Sequence, residues 1–408
     1  MENKFLNIEF ENGLNSSVKD ILLECSRVAD LNNYSIYLIG GVVRDLILGR
    51  EIFDVDIIVE GNAVDFANIL LRDLDCSILQ IQPDLKTAKV SFTNNIEVDF
   101  ASTRCEDYPD SGFLPVIDKI SCSLEQDVLR RDFSINSMAM SLNKEKMFLL
   151  VDYLNGYEDL INQKLRILHD KSFVDDPSRI VRGLKFALRF GFELEKRTKE
   201  LQDEYLNLPP NTSMPLERVK SELKQLFTLN KPEAFEDLIA QKIYKLITLN
   251  PNCITSVTKI AEAIDLFSVE QEKIWLVYLG VLLLNESSEL FSRLNMSLKE
   301  QNTILLAKNL LEKELKKDVD NFDIYSMFNG TDNAALAIYY AQCQDEFAKK
   351  YYFELKDIKL EIGGKDLLEL GLEPSPAYGK IFQQTLKKKL IGEIHTKSEE
   401  LEFVKSLL

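Results

Sequence analysis

Two aspartates two residues apart, Asp54 and Asp56, carry the first chemistry visible in this chain (FDVDIIV). On a strand, residues i and i+2 share a face, so both carboxylates point one way while Val55, Ile57 and Val59 point into a core. Carboxylates side by side repel unless a cation lies between them. Hard oxygen ligands suit Mg²⁺, which is commonly held by one or two carboxylates plus substrate phosphates. Upstream stands YLIGGVVRDLILG, from Tyr37 to Gly49. Gly40 and Gly41 permit backbone conformations closed to other residues, and Arg44 supplies a guanidinium suited to phosphate. A D-x-D pair alone also fits a solvated edge strand, so the neighbouring motifs decide between the two readings.

Two further clusters follow. Leu129 to Ala139 reads LRRDFSINSMA, with Arg130 and Arg131 directly before Asp132. Asp175 to Phe192 reads DDPSRIVRGLKFALRFGF. There the spacing predicts a helix with Asp175 as its cap and Pro177 in its first turn. Asp176, Arg179, Arg182, Lys185 and Arg189 fall along one stripe, while Ile180, Val181, Leu184 and Leu188 supply apolar contacts. On the run Ile96 to Phe100, Glu97 and Asp99 share a face, which fits a polar strand face as well as a further acidic candidate at Asp99.

Together, GG-x-V-R-D-x-x-L-G, the Asp54/Asp56 pair, RRDFSIN and DDPSR resemble the motifs of the class II tRNA nucleotidyltransferase and bacterial poly(A) polymerase family. The resemblance implies that Gly40, Gly41 and Arg44 hold a nucleoside triphosphate, and that Asp54 and Asp56 are catalytic and bind two Mg²⁺ ions. It gives Arg131 a nucleotide contact, with Arg130 as a second candidate and Asp132 as an orienting partner. It assigns Asp176 and Arg179 to the incoming base, with Arg182 and Lys185 as further nucleotide ligands and Arg189 as an additional candidate. Asp175 stands where Glu is frequent, Ser134 where Thr is usual and Lys185 where Arg often sits. The last change replaces a bidentate fork with a point charge. VDYLNGYEDL (Val151 to Leu160) resembles a third motif, with Asp152 and Asp159 as structural hydrogen-bonders. LERVKSELKQL (Leu216 to Leu226) resembles a helical neck motif.

The elements that must position these groups are legible by periodicity. Residues 14–33 read as a lead-in helix, Tyr37 to Ile39 as a strand, Val42 to Leu48 as a short helix and Phe53 to Val59 as a second strand. A helix from Asn62 to Leu74 and strands at Cys76–Gln80, Thr87–Phe92 and Ile96–Phe100 follow, predicting a mixed sheet with helices on one side. Residues 101–124, with Pro109, Gly112 and Pro115, read as a long loop. In the family resembled, a flexible loop in this region helps the change from adding C to adding A. Residues 231–350 read as helical with Trp275 in the core. In the closing segment Gly371, Pro374, Pro376 and Gly379 interrupt helices, and Lys387, Lys388 and Lys389 are either an RNA contact or a solvated run.

The fold class expected is α+β: a polymerase-β-like nucleotidyltransferase head over residues 1–150, then a helical neck (151–228), body (229–350) and tail (351–408) that would bind tRNA. A chain of 408 residues exceeds a single core. Its net charge of −17 argues against indiscriminate nucleic-acid binding and leaves room for a local basic groove. Two histidines make histidine acid–base catalysis improbable and leave no histidine-rich phosphohydrolase domain. Six scattered cysteines without C-x-x-C spacing read as reduced thiols in a cytoplasm. No apolar run reaches membrane-spanning length and no signal-peptide pattern opens the chain.

The function implied is template-independent addition of C and A, from CTP and ATP, to the tRNA 3′ end, with no obligate protein partner. CC-only, A-only and poly(A) addition stay open, since the same motifs serve all of them. A catalytically silent RNA-binding protein is the rival from another class, and Asp54 with Asp56 argues against it. A small-molecule nucleotidyltransferase would need neither RRDFSIN nor the long helical half.

Overall fold

The computed structural model describes residues 14–52, 54–110, 112–209, 211, 214–229, 231–252, 255–313 and 319–407. The chain falls into two compact units, Met1–Glu222 and Leu223–Leu408. The first is built on a seven-stranded sheet of order β3-β4-β5-β2-β1-β8-β9. These strands are β1 (Ser35–Ile39), β2 (Val55–Glu60), β3 (Cys76–Gln82), β4 (Thr87–Phe92) and β5 (Glu97–Ser102), then, after β6 (Arg104–Asp107) and β7 (Val116–Ile120), β8 (Ala139–Ser141) and β9 (Leu150–Val151). Only β2 and β5 run parallel; the other neighbours are antiparallel, so the sheet is mixed.

Central position explains the composition of β2. Val55, Ile57, Ile58 and Val59 are all buried, because a strand covered on both faces reads as a near-continuous apolar run. Helices α1 (Ser16–Leu31) and α3 (Ala63–Asp73) lie on one side, where Phe66 packs against Tyr34 and Phe100. The short α2 (Gly41–Ile47) joins β1 to β2. The other side is not bare, contrary to the one-sided expectation. Helix α4 (Leu124–Leu129) sets Leu124 and Val128 against Ile39, Ile58, Ala139 and Val151. It covers that face near Ile58 and leaves Asp56 exposed.

Several boundaries differ from the sequence reading. β2 begins at Val55, so Asp54 lies just before the strand, and Phe53 lies outside the described residues. Residues 101–124 are not one loop: β6 and β7 pair as an antiparallel hairpin, closed by the Thr103 hydroxyl donating to the Cys122 carbonyl (2.6 Å). Its prolines and glycine fall in the turn, which hid the short flanking strands. Asp175 ends the one-turn helix α6 (Ser172–Asp175) and does not cap α7 (Ser178–Phe190). Asp176 instead accepts from the Ser178 backbone N–H (3.1 Å) and hydroxyl at the entry to α7.

Between these lie α5 (Gly156–Ile161) and a two-residue parallel pair, β10 (Lys164–Leu165) with β11 (Glu193–Leu194). Asp152 accepts from the backbone N–H groups of Leu154, Gly156 and Tyr157, and the Asp159 carboxylate receives the Ser134 hydroxyl (2.6 Å) and Arg166. A Cβ at Gly156 would run into the Ser134 carbonyl oxygen. Both aspartates are therefore structural, as expected. Gly156→Ala should lower the melting temperature by several degrees, the effect of overpacking by about 1–3 kcal/mol, measured by calorimetry.

Helices α8 (Lys196–Leu206) and α9 (Glu217–Phe227) complete this unit, and the chain passes to the second within α9. The second unit is helical where described. All ten residues of Ile274–Leu283 are buried, Trp275 among them. Gly379 lies inside the helix Ala377–Leu390, so it does not interrupt it; Pro376 precedes that helix and Gly371 follows Gly364–Glu369. Lys389 pairs with the buried Glu400 (2.6 Å) and with Glu361, and Lys388 pairs with Glu393. Lys387 lies 3.9 Å from Asp320, so each of the three tail lysines considered as RNA contacts has a carboxylate partner. Cys25, Cys76, Cys105, Cys122 and Cys343 are free thiols, and Cys253 lies outside the described residues. No described helix is long and apolar enough to cross a membrane.

Candidate active site

Strand register assembles an acidic row. Asp56 on β2 is the partner of Asp99 on β5, which in turn faces Lys89 on β4. Partnered positions share a face, so the three side chains stand side by side. Lys89 Nζ lies 3.1 Å from Asp99 and 3.3 Å from Glu97. Among the described residues Asp56 has no such partner: its carboxyl is raised above the ordinary carboxylate value by desolvation and by Asp99 and Asp54, with Arg131 and Lys89 opposing. Among the described residues no three acidic, histidine or cysteine side chains close into a metal cage. Two carboxylates with open oxygens suffice when substrate phosphates complete the shell.

The glycine turn adjoins this row. Gly40 adopts φ +72°, a conformation that only glycine takes without strain, and a Cβ there would lie 3.3 Å from Arg131 Nη1. Arg131 thus stands between the turn and Asp56. Its Nη2 donates to Asp127 (3.1 Å), while its Nε is buried with no hydrogen-bond partner among the described residues. Asp127, fully buried, also accepts from Arg130 and from the Arg104 N–H. Although burial opposes it, Arg131 and Arg130 hold the Asp127 carboxyl below the usual range. The sequence reading missed Asp127, yet its spacing of three and four to the arginines on a helix was a usable signal.

Asp127 also yields a pH prediction. A carboxyl depressed in the fold contributes stability that is present above its unfolded value, about 3.9, and is lost as pH falls through the lower folded value. Asp127→Asn should therefore destabilise at neutral pH by about 3–5 kcal/mol, since it takes the carboxylate from the buried Arg131 and leaves Arg130 with Glu106 alone. Its stability should also decline less than the wild type's on acidification below pH ~4. Urea titrations at pH 7 and below 4 read both effects.

Arg44, expected to face phosphate, is turned inward. It is 4% exposed, donates to Asn136 (2.6 Å) and Asp45, and lies over the Phe190 ring at 4.6 Å. Asp132, expected to orient Arg131, accepts instead from Arg182 (3.1 Å), Asn136 and the Phe133 N–H. Arg182 and Lys185 both reach Glu222 of α9, at 2.6 and 2.7 Å. The stripe on α7 is therefore largely a buried network, because α9 brings a carboxylate and an arginine to it. The neck reading placed α9 as scaffold and did not single out Arg218 or Glu222, although they share a helix face at a spacing of four.

Asp176 and Arg179 lie together at the entry to α7, each 2% exposed. Asp176 pairs with Arg218, and Arg179 Nε stands 3.7 Å from the same carboxylate oxygen. Arg179 donates to the Ser172 hydroxyl (2.6 Å) and to the Arg130 carbonyl (2.8 Å), and one guanidinium nitrogen lies 3.5 Å from the Tyr108 hydroxyl on the hairpin. Arg179 Nε and Arg218 Nη1 are buried donors without an acceptor among the described residues. Unused donors at an acid–base pair suit a polar planar ligand.

A mixed sheet carrying adjacent carboxylates beside a glycine turn and an arginine defines a nucleotidyltransferase-type head. Residues 36–166 match the family model of the poly A polymerase head domain. Over that head region the chain is similar to the tRNA nucleotidyltransferase and bacterial poly(A) polymerase family. It is 29% identical over 409 residues to the A-adding tRNA nucleotidyltransferase of Geobacter sulfurreducens, covering 93% of this chain and 46% of that protein. It thus spans about half that relative's length. Against the A-adding tRNA nucleotidyltransferase of Halalkalibacterium halodurans it is 28% identical, with 94% and 91% covered. The solved complex of a CCA-adding enzyme with CTP superposes with a TM-score of 0.80 at 26% identity, covering 100% of this chain and 99% of that one.

Proposed function

We propose that this protein is a template-independent nucleotidyltransferase that builds or repairs the CCA terminus of tRNA from CTP and ATP, working in the cytoplasm. The observation that carries the reading is the acidic row at Asp56 beside Gly40 and Arg131. It is a pair of carboxylates, Asp54 and Asp56, beside a glycine turn and an arginine. Asp54 and Asp56 fit a divalent cation, since neither has a protein cation at ion-pair distance among the described residues. Mg²⁺ held there, as two ions in this reading, would lower the pKa of the attacking 3′-hydroxyl and stabilise the triphosphate charge.

The chain's own groups do the rest. Gly40 and Gly41 let the triphosphate approach the backbone, and Arg131, aimed by Asp127, binds it. Arg44 and Asp132 act as positioning residues, the one fixing the turn and the other holding Arg182. Asp176 and Arg179 present an acceptor and a donor to the base. Asp99 is held by Lys89 and helps fix the charge of the row. The finer division into head (1–150), neck (151–228), body (229–350) and tail (351–408) belongs to the same proposal.

The test is to offer tRNA transcripts ending at the discriminator base, after one C and after two, with CTP, ATP or both, and to size the products. Growth of all three to full CCA supports the reading. Extension of only the CC-ending transcript by one A would replace it with A-only addition, a second reading favoured by the two A-adding relatives. Absence of any extension would reject both. Affinity for tRNA should also fall as salt rises despite the acidic composition, because bound phosphates release counterions. A binding constant that stays flat from 50 to 200 mM salt, where a phosphate-tracking protein loses about 10³–10⁵-fold, would count against RNA contact through the backbone.

A further inference from the structure

Three guanidiniums surround one aromatic ring. Arg44 and Arg50 lie 4.6 Å from the centre of Phe190, and Arg189 lies 5.2 Å from it. Their situations differ. Arg44 is buried and neutralised by Asp45 at 2.9 Å. Arg50 and Arg189 are exposed, and among the described residues neither side chain makes a hydrogen bond or ion pair. In a chain of net charge −17, two uncompensated arginines held over one ring form a local excess of positive charge. Most other arginines of this unit are tied to carboxylates, Arg130, Arg131, Arg166, Arg182, Arg197 and Arg218 among them.

We propose that Arg50 and Arg189, seated on Phe190, bind a backbone phosphate of the tRNA substrate. The guanidinium is a planar donor fork suited to phosphate, and an aromatic face fixes its plane before the ligand arrives. The ring does this without neutralising the charge, which a carboxylate partner would. Arg189 lies two turns beyond Arg182 on the same face of α7, and Arg50 follows α2 on the way to Asp54. Arg189 therefore shares α7 with Arg179, and Arg50 lies in the segment that leads from α2 to Asp54. Exposed heads suit a long polyanion that tracks over a surface, whereas a small ligand such as the triphosphate takes a concave site. Arg189, counted above among nucleotide candidates, is thereby reassigned to RNA.

This inference rests on the tRNA reading and is tested separately from it. The variants are Arg50→Met and Arg189→Met, alone and together, since Met keeps the apolar stem over Phe190 and removes only the charge. Binding of a CC-ending tRNA transcript is measured against salt, and KM is measured for tRNA and for ATP. Each charge removed should lower the slope of log K against log salt by about 1. The double variant should bind roughly tenfold or more weakly at physiological salt, with a raised KM for tRNA and the KM for ATP unmoved. Arg189→Lys should recover most of the slope. An unchanged slope and affinity in the double variant, with calorimetry showing it folded, would overturn the proposal. So would a raised KM for ATP with tRNA binding intact, which would move the site to the triphosphate. If the wild type itself binds no tRNA, the proposed function fails first, and this site fails with it.

Discussion

Asp54→Ala and Asp56→Ala should each abolish nucleotide addition while leaving the protein folded. The expected fall in single-turnover incorporation is roughly 10³-fold or more, on the scale of losing one charge-stabilising partner in phosphoryl transfer. The structure strengthens the second half of the claim. Asp56 stands beside Asp99 and Asp54 and is penalised by both, so deleting one carboxylate relieves repulsion. The melting temperature of either variant should equal or exceed the wild-type value. Ala at position 56 also leaves the apolar neighbours Val55 and Ile57 undisturbed. Incorporation within tenfold of wild type at saturating Mg²⁺ would remove these residues from the metal assignment. Loss of activity together with a melting temperature lowered by many degrees would make the effect structural.

The second large effect concerns base choice. An ionised aspartate only accepts and a guanidinium only donates. Cytosine presents N4–H beside the N3 acceptor, and adenine presents N6–H beside N1, so both match the pair Asp176 and Arg179. Uracil and guanine present the reverse order and would leave buried groups facing like partners. Such a mismatch costs about 1–3 kcal/mol, roughly 5- to 150-fold. The variant Asp176→Ala/Arg179→Ala should therefore lose preference for CTP and ATP over UTP and GTP by about that factor, with a lower overall rate. Because Asp176 also holds Arg218, the conservative Asp176→Asn belongs in the same assay. It keeps the size of the side chain and replaces one acceptor by a donor. Wild-type preference in the folded double variant would place base selection elsewhere.

The sequence by itself determined the chemistry and its local frame. The D-x-D pair before an apolar run, the Gly-Gly turn after a strand, and the cationic stripe at helical spacing each depend on residues close in the chain. Local periodicity decides such features. The resemblance of VDYLNGYEDL to a third motif marked Asp152 and Asp159 as structural; Asp152 accepts from backbone N–H groups of the adjacent Asn-Gly turn, whereas Asp159 takes the Ser134 hydroxyl and Arg166.

What only the tertiary structure decided is which charges are free. Arg44, Arg182 and Lys185 look alike to Arg50 and Arg189 in sequence, yet their heads are taken by Asn136, Asp132 and Glu222. Those partners lie 92, 50 and 37 residues away. The alignment of Asp99 with Asp56 follows from the parallel register of β2 and β5, which no local pattern encodes. The same holds for the hairpin of residues 104–120 and for Arg50 and Arg189 meeting on Phe190. A guanidinium's availability depends on the nearest carboxylate in space, and the fold, not the spacing, chooses that neighbour.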